Sequence, residues 1–166
     1  GKEIADLMNK IGMKIVAHDP YIETAPEYVT LTNINQLLAC SDFLATVAPL
    51  NQETLGFLDR KRLSQMKKGS ALITVSGVSI VDQTELLKFI ESGYLSGAAI
   101  DVFDTHPVAP DSPLLSNDLL MLTPHIGGAT DETIDRYSNM IATDLLLFLE
   151  KAKPINIINP EVLNHI

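Results

Sequence analysis

Three residues in this sequence invite a chemical reading before any element is drawn: His125, Asp19 and Cys40. His125 follows Pro124 and stands just ahead of Gly127-Gly128. An imidazole is the side chain best suited to proton transfer near neutral pH. A histidine after proline also reads as a plain turn residue. Asp19 follows the apolar run Met13 to Ala17 and lies 18 residues after Gly1. A carboxylate at a strand end, at that distance, suits a ribose: it accepts hydrogen bonds from both hydroxyls and repels a 2'-phosphate. Asp19-Pro20 reads equally as a simple turn. Cys40 is the only cysteine, so no internal disulfide forms, and beside Leu37 and Leu38 it is expected to be a buried structural thiol.

The elements that must position these residues follow from apolar spacing. Ile4, Leu7, Met8 and Ile11 share one helical face, and Gly12 stops that helix. Met13 to Ala17 is a short apolar strand, Leu31 to Leu38 a helix, and Phe43 to Val47 a strand. Asp59 to Met66 has helical spacing, and Ala71 to Val75 is another strand. Asp82 opens a helix with Glu85 three residues on, a capping pair, and Ser92-Gly93 closes it. Ser96 to Ile100 and Leu119 to Leu122 are strands. Thr130 caps a long helix with Asp131 and Glu132 in its first turn, where the helix dipole favours negative charge. The tail after Lys153, with Pro154 and Pro160, is expected to be extended.

Short apolar strands alternating with helices predict an α/β fold, a Rossmann-type doubly wound parallel sheet. Five strands are counted where the plan has six, in order 3-2-1-4-5-6. The first strand and its glycine loop are expected to be absent, and that strand belongs at the centre. Without it the sheet divides, leaving a gap of about 10 Å, twice the usual strand spacing. Residues 1–153 are read as one partial nucleotide-binding domain, followed by the extended tail.

Composition excludes several classes. With 166 residues, 46% hydrophobic and 20% charged, the chain is long enough to bury a real core and is not low-complexity. A net charge of -9 disfavours nucleic acid, and no basic cluster suits a membrane surface. The longest apolar stretch at the C-terminal end, Leu145 to Leu149, is far short of a membrane span. No metal site is read from the sequence. The lone thiol and the lack of a signal peptide fit a reducing cytoplasm.

Four segments then act together. They are Gly12-Met13-Lys14-Ile15-Val16-Ala17-His18-Asp19-Pro20, Ala48-Pro49-Leu50-Asn51-Gln52-Glu53-Thr54-Leu55-Gly56, Gly97-Ala98-Ala99-Ile100-Asp101-Val102-Phe103 and Leu122-Thr123-Pro124-His125-Ile126-Gly127-Gly128-Ala129-Thr130. In this order and spacing they resemble the D-isomer-specific 2-hydroxyacid dehydrogenase family, which includes phosphoglycerate dehydrogenase. The resemblance runs from Gly1 to about Val162, and through Asn159-Pro160-Glu161-Val162 it implies that 154–166 returns toward a substrate domain. It implies NAD as cofactor, a small 2-hydroxy or 2-oxo acid as substrate, and a homodimer. Gly1 resembles the last glycine of the family's phosphate loop. Val47, Ala48 and Pro49 would flank the adenine, Val75 and Ser76 would lie near the nicotinamide, and Asp101 would contact its carboxamide. Gly127 and Gly128 would complete the cofactor side. His125 would take the hydroxyl proton while hydride leaves C2.

The sequence departs from that pattern twice. Gly77 stands where the family has an arginine that pairs with the substrate carboxylate. His106 stands where the family has a glutamate that orients the histidine. His106 is expected to face solvent or stand by as a passive neighbour, with a histidine pair as the alternative. The departures leave a catalytically impaired, nucleotide-sensing or scaffold homologue open beside the dehydrogenase.

Overall fold

A computed structural model describes residues 1–165. They form two compact units, Gly1–His125 and a second that begins at Ile126.

The first unit opens with α1 (Lys2–Lys10), which runs into β1 (Ile15–Ala17). A strand unforeseen in the sequence follows, β2 (Val29–Leu31), pairing in parallel with β1 through Ile15↔Val29 and Ala17↔Leu31. The helix expected from Leu31 therefore begins later, as α2 (Ile34–Cys40). The Asn33 side chain accepts from the Gln36 amide and fixes that start, which releases the β-branched stretch before it to the sheet. Next come β3 (Phe43–Thr46), α3 (Arg60–Leu63), β4 (Ala71–Thr74), α4 (Gln83–Glu91), β5 (Gly97–Ile100) and β6 (Leu120–Leu122). The Asp82 carboxylate caps α4 by accepting from the Glu85 amide at 3.0 Å, as the sequence predicts.

All strands pair in parallel, but in two separate sheets: β1-β2, and β3-β4-β5-β6 in that order. The division anticipated between half-sheets is present. It leaves β3 with an open edge, and Phe43 on it is exposed.

The core lies against one face of the four-stranded sheet. Leu44, Leu72 and Ala98 form a row across three strands and pack with Leu38 of α2, Leu63 of α3, and Leu86 and Ile90 of α4. Leu38 is fully buried, yet Cys40, expected to be buried beside it, is exposed. Two residues along a helix turn a side chain about 200° away, so Cys40 faces out while Leu38 faces in.

The second unit is built on α5 (Asp131–Leu149), capped by Thr130, whose side chain accepts from the Thr133 amide. Glu132 in its first turn is held below the usual carboxylate range by its own backbone amide and then by the Thr130 hydroxyl. The tail returns along α5, where the Asp144 carboxylate accepts from the Ile155 amide at 2.7 Å and the Asn156 side chain at 2.9 Å. The expected extension stops at Pro160, which starts a 3-10 turn over Pro160–His165; its fixed φ suits a first helical position. Among the described residues no helix is long and apolar enough to cross a membrane.

Candidate active site

Parallel register decides where the chemistry gathers. Thr46, Thr74, Ile100 and Leu122 are partners in one row across β3 to β6. The residues that follow them, Val47, Val75, Asp101 and Thr123, therefore all leave the sheet at its carboxyl edge. Ligands bind at that edge in open α/β sheets.

At the β1 end, Asp19 is exposed, and its Oδ1 accepts from the Tyr21 amide at 2.9 Å. The turn reading and the ligand reading are thus compatible, because the turn is what holds the carboxylate. Tyr21 donates its hydroxyl to Glu53 at 2.8 Å, tying the loop after β1 to the loop after β3. That bond holds the Tyr21 hydroxyl proton and raises its pKa above the usual phenol value. No feature of the sequence had pointed to this pair.

Gly1 and Val47 meet. A Cβ on Gly1 would come 3.3 Å from Val47 Cγ2, so the start of α1 lies against the end of β3. Val47, Ala48 and Pro49 are exposed. Their loop is locked from within: the Thr54 hydroxyl donates to the Pro49 carbonyl at 2.7 Å, and Asn51 Oδ1 accepts from the Glu53 and Thr54 amides. Asn51 and Thr54 lay inside a quoted motif, but spacing alone assigned them no role.

At the β4 end Val75 is about half exposed, whereas the Ser76 hydroxyl turns back to donate to the Thr46 carbonyl at 3.2 Å. Gly77 follows, and a Cβ there would fall 2.9 Å from Leu50 Cδ2. The space an arginine would enter is therefore bordered by leucine. Arg60 pairs with Glu85 at 3.7 Å, and Arg62 donates to the Phe57 carbonyl with its guanidinium over the Phe57 ring.

Asp101 at the β5 end is buried and accepts from the Thr123 hydroxyl at 2.5 Å. Thr123 thereby links the β5 and β6 ends two residues before His125. His125 is exposed and adopts φ 56°, and its amide donates to the Thr123 carbonyl at 3.0 Å. His106 is exposed, as expected, and also forms the histidine pair held as the alternative. Its ring stacks on His125, with centroids 5.4 Å apart and planes at 30°. Two anchors turn it there. Phe103 is packed in the core and meets His106 edge-on at 6.2 Å, and Asp104 accepts from Ser79 and Gln83. Asp104, the nearest carboxylate in sequence to His106, is thus engaged on the α4 side. Gly127 and Gly128 belong to the second unit, in the turn that leads to Thr130.

Residues 1–127 match the model of the D-isomer specific 2-hydroxyacid dehydrogenase, NAD binding domain. The chain belongs to this family. Its relatives include a glyoxylate reductase from Korarchaeum cryptofilum, 34% identical over 98% of this chain and 50% of the relative. A D-3-phosphoglycerate dehydrogenase from Archaeoglobus fulgidus is 33% identical over 88% of this chain and 28% of its own length. Among solved structures, the TT0316 protein from Thermus thermophilus superposes with a TM-score of 0.87 at 32% identity, covering 95% of this chain and 50% of that one. The chain thus spans about half the length of the glyoxylate reductase it matches. The family's cofactor is a nicotinamide dinucleotide, and the residues here fit one. An exposed carboxylate ends β1, and the exposed apolar side chains of Val47, Leu50 and Val75 offer surfaces for flat rings.

Proposed function

We propose that this chain is the cofactor-binding half of an oxidoreductase that interconverts a D-2-hydroxy acid and a 2-oxo acid, with His125 carrying the proton. The observation behind this reading is the single edge onto which register brings Val47, Val75, Asp101 and the His125 loop, with the Asp19 loop tied to the loop after β3 by the Tyr21–Glu53 hydrogen bond. Relatives named as glyoxylate reductase, hydroxypyruvate reductase and D-3-phosphoglycerate dehydrogenase suggest the substrate class.

When bound, the cofactor accepts or returns the hydride on C2 of the acid. Asp19 would hold the adenosine ribose and favour NAD over NADP by repelling a 2'-phosphate. Val47, Ala48 and Pro49 would flank the adenine, with Gly1 and the α1 amides toward the phosphates. Val75 and Ser76 would border the nicotinamide. Asp101, oriented by Thr123, would meet the carboxamide, and the family resemblance implies Gly127 and Gly128 as further cofactor-binding residues. His125 would accept the hydroxyl proton in oxidation and donate it to the oxo group in reduction.

The protein would act as a homodimer in the cytoplasm. The exposed Tyr137, Ile141 and Leu145 of α5 favour an association, which sedimentation equilibrium of the full-length protein checks. The test of function is NADH and NADPH titration of the full-length protein by fluorescence, followed by reduction of glyoxylate and hydroxypyruvate. NADH binds more tightly than NADPH, and His125→Asn lowers kcat about 10²- to 10⁴-fold with little change in NADH affinity. Unchanged turnover in His125→Asn would overturn the mechanism. NADH binding without reduction of any 2-oxo acid would overturn the activity.

A further inference from the structure

We infer that His106 is a positioning residue for His125 and acts by ring stacking rather than by charge. The inference rests on the reading of His125 as the proton carrier.

Three rings form a ladder from the core to the site. Phe103 is buried and belongs to the hydrophobic core at the end of β5. His106 meets it edge-on, with centroids 6.2 Å apart and planes at 79°. His125 lies over His106 at 5.4 Å and 30°. Both separations fall within the range where aromatic pairs attract, and both arrangements are ones that ring quadrupoles favour. The segment carrying His106 is pinned beside the ring as well, by Ser79 and Gln83 donating to Asp104.

His125 needs such support. It is exposed, and its φ of 56° lies in the left-handed region, which non-glycine residues adopt uncommonly. A neighbouring carboxylate fixes an imidazole by occupying one ring nitrogen and adds a negative charge. Stacking fixes the ring plane while leaving both nitrogens open to hydrogen bonds, without a carboxylate's negative charge. An aromatic side chain of any kind at position 106 would therefore keep the plane, and a small one would not. Misplacing a reacting group by about 1 Å costs about 10²-fold in rate. A freed but still tethered ring should lose less, about tenfold in kcat.

The experiment compares His106→Ala and His106→Phe in the full-length protein. It reads kcat and KM for glyoxylate, NADH affinity, and the His125 ring proton shifts by NMR. His106→Ala should lower kcat about tenfold, leave NADH affinity within about twofold, and move the His125 ring signals as the ring current of residue 106 disappears. His106→Phe should keep a ring-current shift and return kcat to within about threefold of wild type. Wild-type kcat in His106→Ala, or a His106→Phe as slow as His106→Ala, would overturn the inference. The NMR comparison separates this failure from failure of the proposed function. If the wild type reduces no 2-oxo acid, His125 signals unmoved by His106→Ala overturn the stack, and moved signals support it.

Discussion

Replacing Gly77 by arginine tests whether a substrate carboxylate is bound at the loop after β4. The backbone accepts the change, since Gly77 has φ -52°. The obstacle is Leu50: a Cβ at 77 would lie 2.9 Å from its Cδ2, 3.4 Å from its Cβ and 3.6 Å from its Cγ. Only the first is a severe overlap, and it involves the tip of a side chain that is 46% exposed and free to rotate outward. Moving it costs about 1 kcal/mol. Two charge-assisted hydrogen bonds from a guanidinium to a carboxylate contribute about 3–6 kcal/mol. Ordering the arginine removes up to about 2 kcal/mol of that. The middle of that range leaves a net gain of about 1.5 kcal/mol and its top about 3 kcal/mol, so kcat/KM for a 2-oxo acid should rise about tenfold, and at most about 150-fold. The assay is NADH oxidation with glyoxylate, with acetaldehyde as a carbonyl that lacks the carboxylate. Gly77→Ala serves as the control, because it displaces Leu50 without adding charge. Gly77→Arg should improve glyoxylate reduction alone. Equal kcat/KM in Gly77→Arg and Gly77→Ala, or equal gains for glyoxylate and acetaldehyde, would refute the reasoning.

Two further predictions concern stability. Gly97→Ala would place a Cβ 2.5 Å from the Leu119 carbonyl oxygen, which also accepts from the Ala98 amide at 3.2 Å. Relief requires β6 to move and weaken that bond, costing about 2–4 kcal/mol and lowering Tm by about 4–15 °C. Circular dichroism on heating measures this, and a fall under about 2 °C would contradict the close approach. The Asp144 clasp should depend on pH. The Asn156 side chain, then the Ile155 and Asn156 amides, hold its carboxyl below the usual range, so the unfolded tail binds the proton more readily. The clasp is fully present above the ordinary carboxylate pKa near 4 and is lost as pH falls through the lower value of the clasped state. Hydrogen exchange at the Ile155 amide should quicken in that acid window relative to a control amide in α5. Asp144→Ala should remove the pH-dependent difference, and a tail equally protected with and without Asp144 would show that the clasp does not hold it.

What the sequence disclosed and what it withheld have one physical source. Periodicity is local, and it located β1, β3, β4, β5 and β6 and the caps at Asp82 and Thr130. It failed at β2 because Leu31, Ile34, Leu37 and Leu38 share helical spacing; the decisive signal was Asn33, a cap residue at the third position of the assumed helix. It failed at Cys40 because a neighbour in sequence is not a neighbour on a helix face. The candidate site was legible as a set of segments but not as contacts. Leu50 reaches Gly77 across 27 residues, Thr123 reaches Asp101 across 22, and His106 reaches His125 across 19. None of these distances is a helical or strand period. They are set by parallel register, which ends β3 to β6 in one row and so forces the following residues onto one edge. Aligning Thr46, Thr74, Ile100 and Leu122 in sequence recovers that edge, because parallel strands of similar length joined by crossovers must all exit on the same side. The side-chain choices at the edge require a further step. That His106 turns toward His125 depends on Phe103 entering the core and Asp104 finding Ser79 and Gln83, three partnerships from other elements. A histidine standing where a carboxylate is expected therefore cannot be judged from its own charge. Its role follows from what anchors the loop on either side of it.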